Sequence, residues 1–326
     1  CSLEARYLQI SKGDEIEFPE DGYQGEDIKD LAKEYADLNG DSLVNVSAEE
    51  RKKALVDYAL PKNIKKMQAD MEKYKIFYDK WFFESELHKS GAVKAVVDLL
   101  TKKGLTYEKD GAVWYKNKEV LTQKLLKEGK SQKYIDNLEL KDDVLIRQNG
   151  NPTYFTADIA YHKNKFDRGF TTLIDVWGAD HHGHVMRMKG AMDAIGYDGD
   201  KLNVVLMQLV KLVKDGELVR MSKRTGKAIQ LGDLLDEVPV DSARFLFNTK
   251  EANTQMDFDL DLAVSQDNQN PVYYVQYAHA RICSILKTLE KDGITPKDCS
   301  ESDLDVLTAP EEIDIISQPA VLGQLI

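Results

Sequence analysis

Hydrophobic residues recur at helical spacing over Ile28, Leu31, Ala32, Tyr35 and Ala36, and Glu26 and Asp27 precede them where a helix dipole favours negative charge. A second helical block runs from about Ala48 to Phe83. Ser47 precedes Glu49 and Glu50 as a cap, and Pro61 predicts a break between two helices. Residues 91–109 read largely as a helix, with Val93, Val96, Val97, Leu99 and Leu100 on the period and Gly104 closing it. Asp110-Gly111 with Trp114-Tyr115 predicts a strand pair around a turn. Residues 116–142 are lysine-rich and contain no proline; their pattern is poorly constrained and predicts a surface insertion.

From residue 144 the texture changes. Val144 to Arg147 and Tyr154 to Thr156 read as strands around the turn Asn149-Gly150-Asn151-Pro152, and Ala157 to Lys165 as a helix. Thr172 to Trp177 is a compact apolar strand, a helix follows Gly183 through Ile195, and Asn203 to Val213 is a second apolar strand. That succession makes a βαβ unit, hence a parallel sheet and an α/β fold. Asp215-Gly216 predicts a short hairpin between Lys211–Lys214 and Glu217–Arg220. Helices at 231–237 and 241–249 are split by Pro239, and the longest helical period covers Pro271 to Leu289. No internal repeat is present.

Composition narrows the class. Of 326 residues, 42% are hydrophobic and 31% charged, which excludes wholesale disorder. No run approaches the roughly 20 apolar residues of a membrane helix. Three cysteines (Cys1, Cys283, Cys299) cannot build a disulfide framework, so a reducing, cytoplasmic compartment is expected. The net charge is −12, yet residues 51–80 hold nine Lys or Arg against four acids, and 201–230 hold seven against two. The first stretch suits either a solvated helix face or a polyanion contact.

Three clusters carry candidate chemistry. Trp177-Gly178-Ala179-Asp180-His181-His182-Gly183-His184 sits where a strand ends and a helix begins, the place where open parallel sheets bind ligands. Helix amides and imidazoles there suit a phosphate or carboxylate; a metal site or a structural histidine pair are the alternatives. Val219 to Lys227 is a basic loop directly after the hairpin, with Lys223 and Arg224 able to neutralise a departing pyrophosphate, although basic surface loops are common. Tyr154 and Asp158 share one face if that segment is helical. A phenol and a carboxylate there would select a planar cation such as a guanidinium, or form a structural pair.

Arg220-Met221-Ser222-Lys223-Arg224 resembles the KMSKS loop of class I aminoacyl-tRNA synthetases. Four further strings resemble the bacterial arginyl-tRNA synthetases: Asp21 to Asp27 (DGYQGED), Tyr154 to Tyr161 (YFTADIAY), Trp177 to Gly183 (WGADHHG) and Asn270 to Arg281 (NPVYYVQYAHAR). They occur in the family's order and span nearly the whole chain. The resemblance implies activation of L-arginine by ATP and its magnesium, then transfer of the arginyl group to the terminal adenosine of its tRNA, with no structural metal. It assigns Lys223, Arg220 and Ser222 to catalysis, and Met221, Gly178, His182 and Lys223 to ATP. Tyr154, Asp158, Asp180 and His181 fall to arginine, and Tyr277 and Arg281 to tRNA. A monomer away from membranes is implied.

On the same resemblance, residues 1–20 are a connecting segment of the catalytic domain and 21–143 a mostly helical insertion in it. Residues 144–268 are the second half of a Rossmann-like catalytic domain, and 269–326 the start of a helical anticodon-binding bundle. Departures limit the match. His181-His182-Gly183-His184 spells the family's second signature but follows too late a strand, and Arg220 stands where the class has lysine. Residue 1 is cysteine and only the first long helix of the anticodon bundle is clear, so both ends are expected to be cut, and without the His-x-Gly-His string in its expected place the 326 residues alone are expected to have little activity. The rival readings are a non-catalytic tRNA-binding or interaction module on the same fold, and another class I nucleotidyltransferase acting on a small acid.

Overall fold

A computed structural model describes residues 2–13, 15–219, 229–295, 300 and 305–325. The chain forms two compact units, Cys1–Val264 and Ser265–Ile326.

Three helices open the first unit: α1 (Ser2–Lys12), α2 (Glu26–Asn39) and α3 (Ala48–Lys73). Tyr7, Ala32, Tyr35 and Leu55 bury a small core between them, with Tyr7 and Tyr35 edge to face at 5.6 Å. The Tyr7 hydroxyl donates to the Gly40 carbonyl (2.9 Å) and accepts from the Leu43 amide (3.1 Å). Ser47 and Glu50 form a capping box at the start of α3. The helix then runs unbroken through Pro61, against the expected break. Pro61 lies on the exposed side, where water can take the carbonyl its missing amide leaves free. The basic side chains of this stretch are largely spent on neighbours. Arg51 pairs with Glu4 (3.0 Å) and Lys62 with Glu34; Lys66 donates to Gln230 (2.8 Å), and Lys75 pairs with Asp241 (2.6 Å).

A larger core joins α4 (Glu84–Lys89), α5 (Ala92–Lys102) and the antiparallel strands β1 (Thr106–Lys109), β2 (Ala112–Tyr115) and β3 (Asp143–Ile146) to the elements that follow. The β1–β2 turn has positive φ at both Asp110 (53°) and Gly111 (72°), as a two-residue hairpin requires. Residues 116–142 are better ordered than their composition suggests: they fold into α6 (Asn117–Lys127) and α7 (Gln132–Asn137). Leu121 and Leu125 form a buried stripe, Lys124 reaches over to Asp193 (2.8 Å), and Lys118 and Lys127 face water. Gly190 leaves room for Leu121, whose Cδ2 would sit 2.6 Å from a Cβ there. The expected 21–143 segment thus contributes to two cores, and Val93, Leu100 and Tyr115 share theirs with Leu145, Phe155 and Leu173.

Tyr154 to Thr156 is helical, not a strand: α8 spans Tyr154–Asp167. The turn before it brings the chain back beside β3, and the Thr153 and Thr156 hydroxyls donate to the Val144 and Leu145 carbonyls (2.7 Å each). Then β4 (Leu173–Gly178), α9 (His182–Ile195) and β5 (Leu202–Met207) make the expected parallel βαβ unit, in register from Leu173↔Leu202 to Gly178↔Met207. The apolar run beyond Asn203 is not one strand. It breaks at Gln208-Leu209, where the Gln208 amide bonds the Ala252 carbonyl (2.9 Å), and β6 (Val210–Lys214) enters another sheet. There it pairs antiparallel with β7 (Glu217–Leu218) and parallel with β8 (Met256–Asp259), a strand the pattern did not predict. Helices α10 (Leu231–Glu237), α11 (Val240–Phe247) and α12 (Leu260–Val264) cover this sheet through Leu234, Leu235, Ala243, Leu246 and Ala263. The β4–β5 sheet buries Leu173, Asp175 and Leu202 on one face; Ile174, Val176, Val205 and Met207 are exposed on the other. The second unit holds α13 (Pro271–Lys291), capped by Asn270 with Pro271 in its first turn, and a last helix, Pro310–Leu325.

Candidate functional site

The site lies where β4 ends. Gly178 leads into a 3-10 turn over Ala179–His181, and α9 starts at His182. Asp180 folds back over Gly178, where a Cβ would lie 2.5 Å from its Oδ1, so a larger residue at 178 would turn the exposed Asp180 side chain aside. His181 holds the N-cap position of α9 without a side-chain cap, and the His182 amide bonds the Ala179 carbonyl of the preceding turn, so the positive end of that 14-residue helix dipole faces the strand end. Asp180 and His181 are both exposed and face one another at 3.8 Å. His182 is exposed and lines a cavity of about 720 Å³ between α6 and α9. Among the described residues, no group of three or more His, Cys, Asp or Glu is placed to hold a metal.

The other wall is the start of α8. Helical geometry puts Tyr154 and Asp158 one turn apart on one face, with the Tyr154 side chain 79% exposed and that of Asp158 43%. The exposure leaves both available to a ligand. Across from them stands His184, whose Nε2 is 3.3 Å from Asp158 Oδ2. Its ring packs against Phe155 (5.5 Å, edge on) and Trp177 (5.2 Å). Arg187, one turn further along α9, places Nη2 at 2.9 Å from His184 Nδ1 and Nη1 at 3.0 Å from Asp143 Oδ1. Burial pushes the Asp143 carboxyl up, partly opposed by Arg187 and His184.

Beneath this face, a buried charge cluster ties α8 to β4. Asp175, 7% exposed, contacts His162 Nε2 and accepts from Lys165 Nζ (2.6 Å). His162 Nδ1 lies 2.7 Å from the Asp158 backbone carbonyl, so the cluster also fixes the backbone of the candidate ligand-binding residue. Burial alone would raise the Asp175 carboxyl, but His162 and then Lys165 outweigh it and hold it below the usual range.

The structure therefore brings Tyr154 and Asp158 to the same strand end as Gly178, Asp180, His181 and His182. Arg220, Met221, Ser222 and Lys223 lie outside the described residues. Tyr277 and Arg281 sit one turn apart on α13 in the second unit, both exposed, with Arg281 Nη1 3.5 Å from the Tyr277 hydroxyl and its guanidinium 5.8 Å from the ring centre. Sequence reasoning passed over Arg187, His162 and Asp175. The i,i+3 spacing of His184 and Arg187 was a readable signal; the meeting of His162 with Asp175 needed the fold.

Comparison with known proteins identifies the family. A family model described as "tRNA synthetases class I (R), catalytic domain" matches residues 23–283. The chain is 53% identical to the arginine–tRNA ligase of Ruminiclostridium cellulolyticum over 97% of its own length and 53% of that protein's. It is 54% identical to that of Caldanaerobacter subterraneus, over 98% and 54%. Among solved structures, a putative arginyl-tRNA synthetase from Campylobacter jejuni superposes with a TM-score of 0.74 at 35% identity, covering 90% of this chain and 59% of that one. The Thermus thermophilus arginyl-tRNA synthetase shares the fold, at a TM-score of 0.64 and 19% identity, over 95% of this chain and 58% of that one. The chain spans about half the length of the curated relatives it matches. It belongs to the arginyl-tRNA synthetase family of class I catalytic domains.

Proposed function

We propose that this chain carries the arginine-recognition face and the phosphate loop of an arginine–tRNA ligase. The enzyme activates L-arginine with ATP, supplied as its magnesium complex, and passes the arginyl group to the terminal adenosine of tRNA. The observation that carries the reading is the half-exposed Asp158 carboxylate beside Tyr154, opposite His184, at the end of a parallel β4. Asp158 accepts from the substrate guanidinium, a pairing that favours a planar cation over the point charge of lysine. Tyr154 stands on the same face, able to pack its ring on that cation. Asp180 and His181 border the substrate at the strand end. Gly178 lets the backbone approach the nucleotide, and His182 at the positive end of the α9 dipole favours its negative groups. Lys223, with Arg220, Ser222 and Met221, contacts the phosphates, where charge grows as pyrophosphate leaves. Tyr277 offers a ring and Arg281 a cation to tRNA. The protein acts as a monomer in the cytoplasm.

The test is ATP–pyrophosphate exchange by the protein carrying this chain, with tRNA present. Exchange that depends on arginine supports the proposal. Exchange driven equally by other amino acids refutes it and favours a different nucleotidyltransferase; no exchange, with tRNA still bound, favours the non-catalytic module.

A further inference from the structure

We infer that Arg187 is a positioning residue for amino-acid specificity: through the His184 ring it sets how Asp158 meets the guanidinium of arginine. The inference rests on the reading of Asp158 as the arginine-binding carboxylate. It begins from hydrogen-bond inventory. A guanidinium only donates, so Arg187 Nη2, 2.9 Å from His184 Nδ1, requires that nitrogen to accept. With Nδ1 bare, the proton of the neutral ring sits on Nε2, which is buried and lies 3.3 Å from Asp158 Oδ2. That approach is oblique: the Nε2 atom has no partner in hydrogen-bond geometry, so it faces the carboxylate without saturating it. The Nε2–H edge thus presents positive charge to one carboxylate oxygen, and Asp158 keeps its lone pairs for a bidentate guanidinium.

Every part of this relay is held from outside. Asp143 on β3 takes Arg187 Nη1 at 3.0 Å, and the guanidinium lies 5.1 Å from the Phe155 ring centre. Phe155 and Trp177 clamp the imidazole from two sides. The charged groups facing the ring are Asp158 from α8, Asp143 from β3 and Arg187 from its own helix. If Arg187 is replaced by a group that can also accept, the other tautomer becomes available. Its bare Nε2 would then turn a lone pair toward the Asp158 carboxylate and displace it.

The experiment labels the protein with ¹⁵N-histidine and reads the ring nitrogens by long-range ¹H–¹⁵N correlation in mildly alkaline buffer, with His184 assigned from His184→Gln. The wild type should show a bare Nδ1 and a protonated Nε2 at His184. In Arg187→Gln the tautomer should shift, and L-arginine binding should weaken roughly ten-fold (about 1.4 kcal/mol) while ATP binding stays within about two-fold. Preference for arginine over its neutral isostere citrulline should narrow, and Arg187→Lys, which can still only donate, should restore both. A wild-type His184 protonated at Nδ1 overturns the inference, and that spectrum decides even if the variants fail to fold. Unchanged arginine affinity in Arg187→Gln, alongside a clear loss in Asp158→Asn, overturns the relay alone. Unchanged affinity in Asp158→Asn overturns the pocket assignment and the relay with it.

Discussion

Asp175→Asn removes the charge at the centre of the cluster that locks α8 to β4 while keeping the side chain's size. In the native structure that carboxylate is 7% exposed and serves two partners, His162 and Lys165, whose side chains are 4% and 17% exposed. Breaking a buried pair by deleting one member leaves the other uncompensated and costs about 3–5 kcal/mol. For a domain of this size, with about 2–4 °C of melting temperature per kcal/mol, the variant should melt roughly 6–20 °C lower by circular dichroism. The sign with pH follows from the lowered Asp175 carboxyl. Its stabilisation is present above the ordinary aspartate value of about 4 and is lost as pH falls through the lower folded value. The gap between wild type and Asp175→Asn should therefore be widest near neutrality and close in acid. A single variant that melts within about 2 °C of the wild type at neutral pH would refute the reasoning, since less than about 1 kcal/mol would then rest on the charge.

Further outcomes are expected elsewhere. Lys223→Ala should lower the rate of arginine activation by about 100-fold in pyrophosphate exchange while arginine affinity changes little, because its contact forms mainly in the transition state; equal losses in both would contradict that role. Gly199→Ala should destabilise the α9–β5 connection by about 1–3 kcal/mol in denaturant melts. A Cβ there meets the Lys189 backbone carbonyl at 2.3 Å, which cannot swing away as a side chain could. Tyr277→Ala should weaken tRNA binding by about 1–3 kcal/mol in filter-binding titrations, with arginine affinity unchanged.

The βαβ unit and the long helix α13 were legible because apolar runs and helical periods there are unbroken. What misled was local. Pro61 reads as a breaker, but a proline on a helix's wet side is tolerated when packing at Leu55 and Ala59 and a capping box hold the helix. Tyr154-Phe155-Thr156 has strand propensity, yet two threonine hydroxyls tie this first turn to β3 and tertiary contacts win. The lysines of 116–142 mask a stripe of only Leu121 and Leu125, too sparse to read before α9 supplies the opposing surface. At the candidate site, the strand end and helix start at Gly178–His182 were legible from the apolar run before them, whereas Tyr154 and Asp158 stood out through the resemblance and share a helix face only because Tyr154 proves helical. The Asp175–His162–Lys165 cluster was not, because α8 and β4 meet only through the fold.

The central claim is that Asp158 and its neighbours form the arginine pocket, and titration calorimetry of L-arginine against Asp158→Asn tests it most directly. Loss of a charge-assisted pair should weaken binding by about 1.5–3 kcal/mol, roughly 10- to 150-fold, with the variant's melting temperature near that of the wild type. A folded Asp158→Asn that binds arginine as tightly as the wild type would contradict the account.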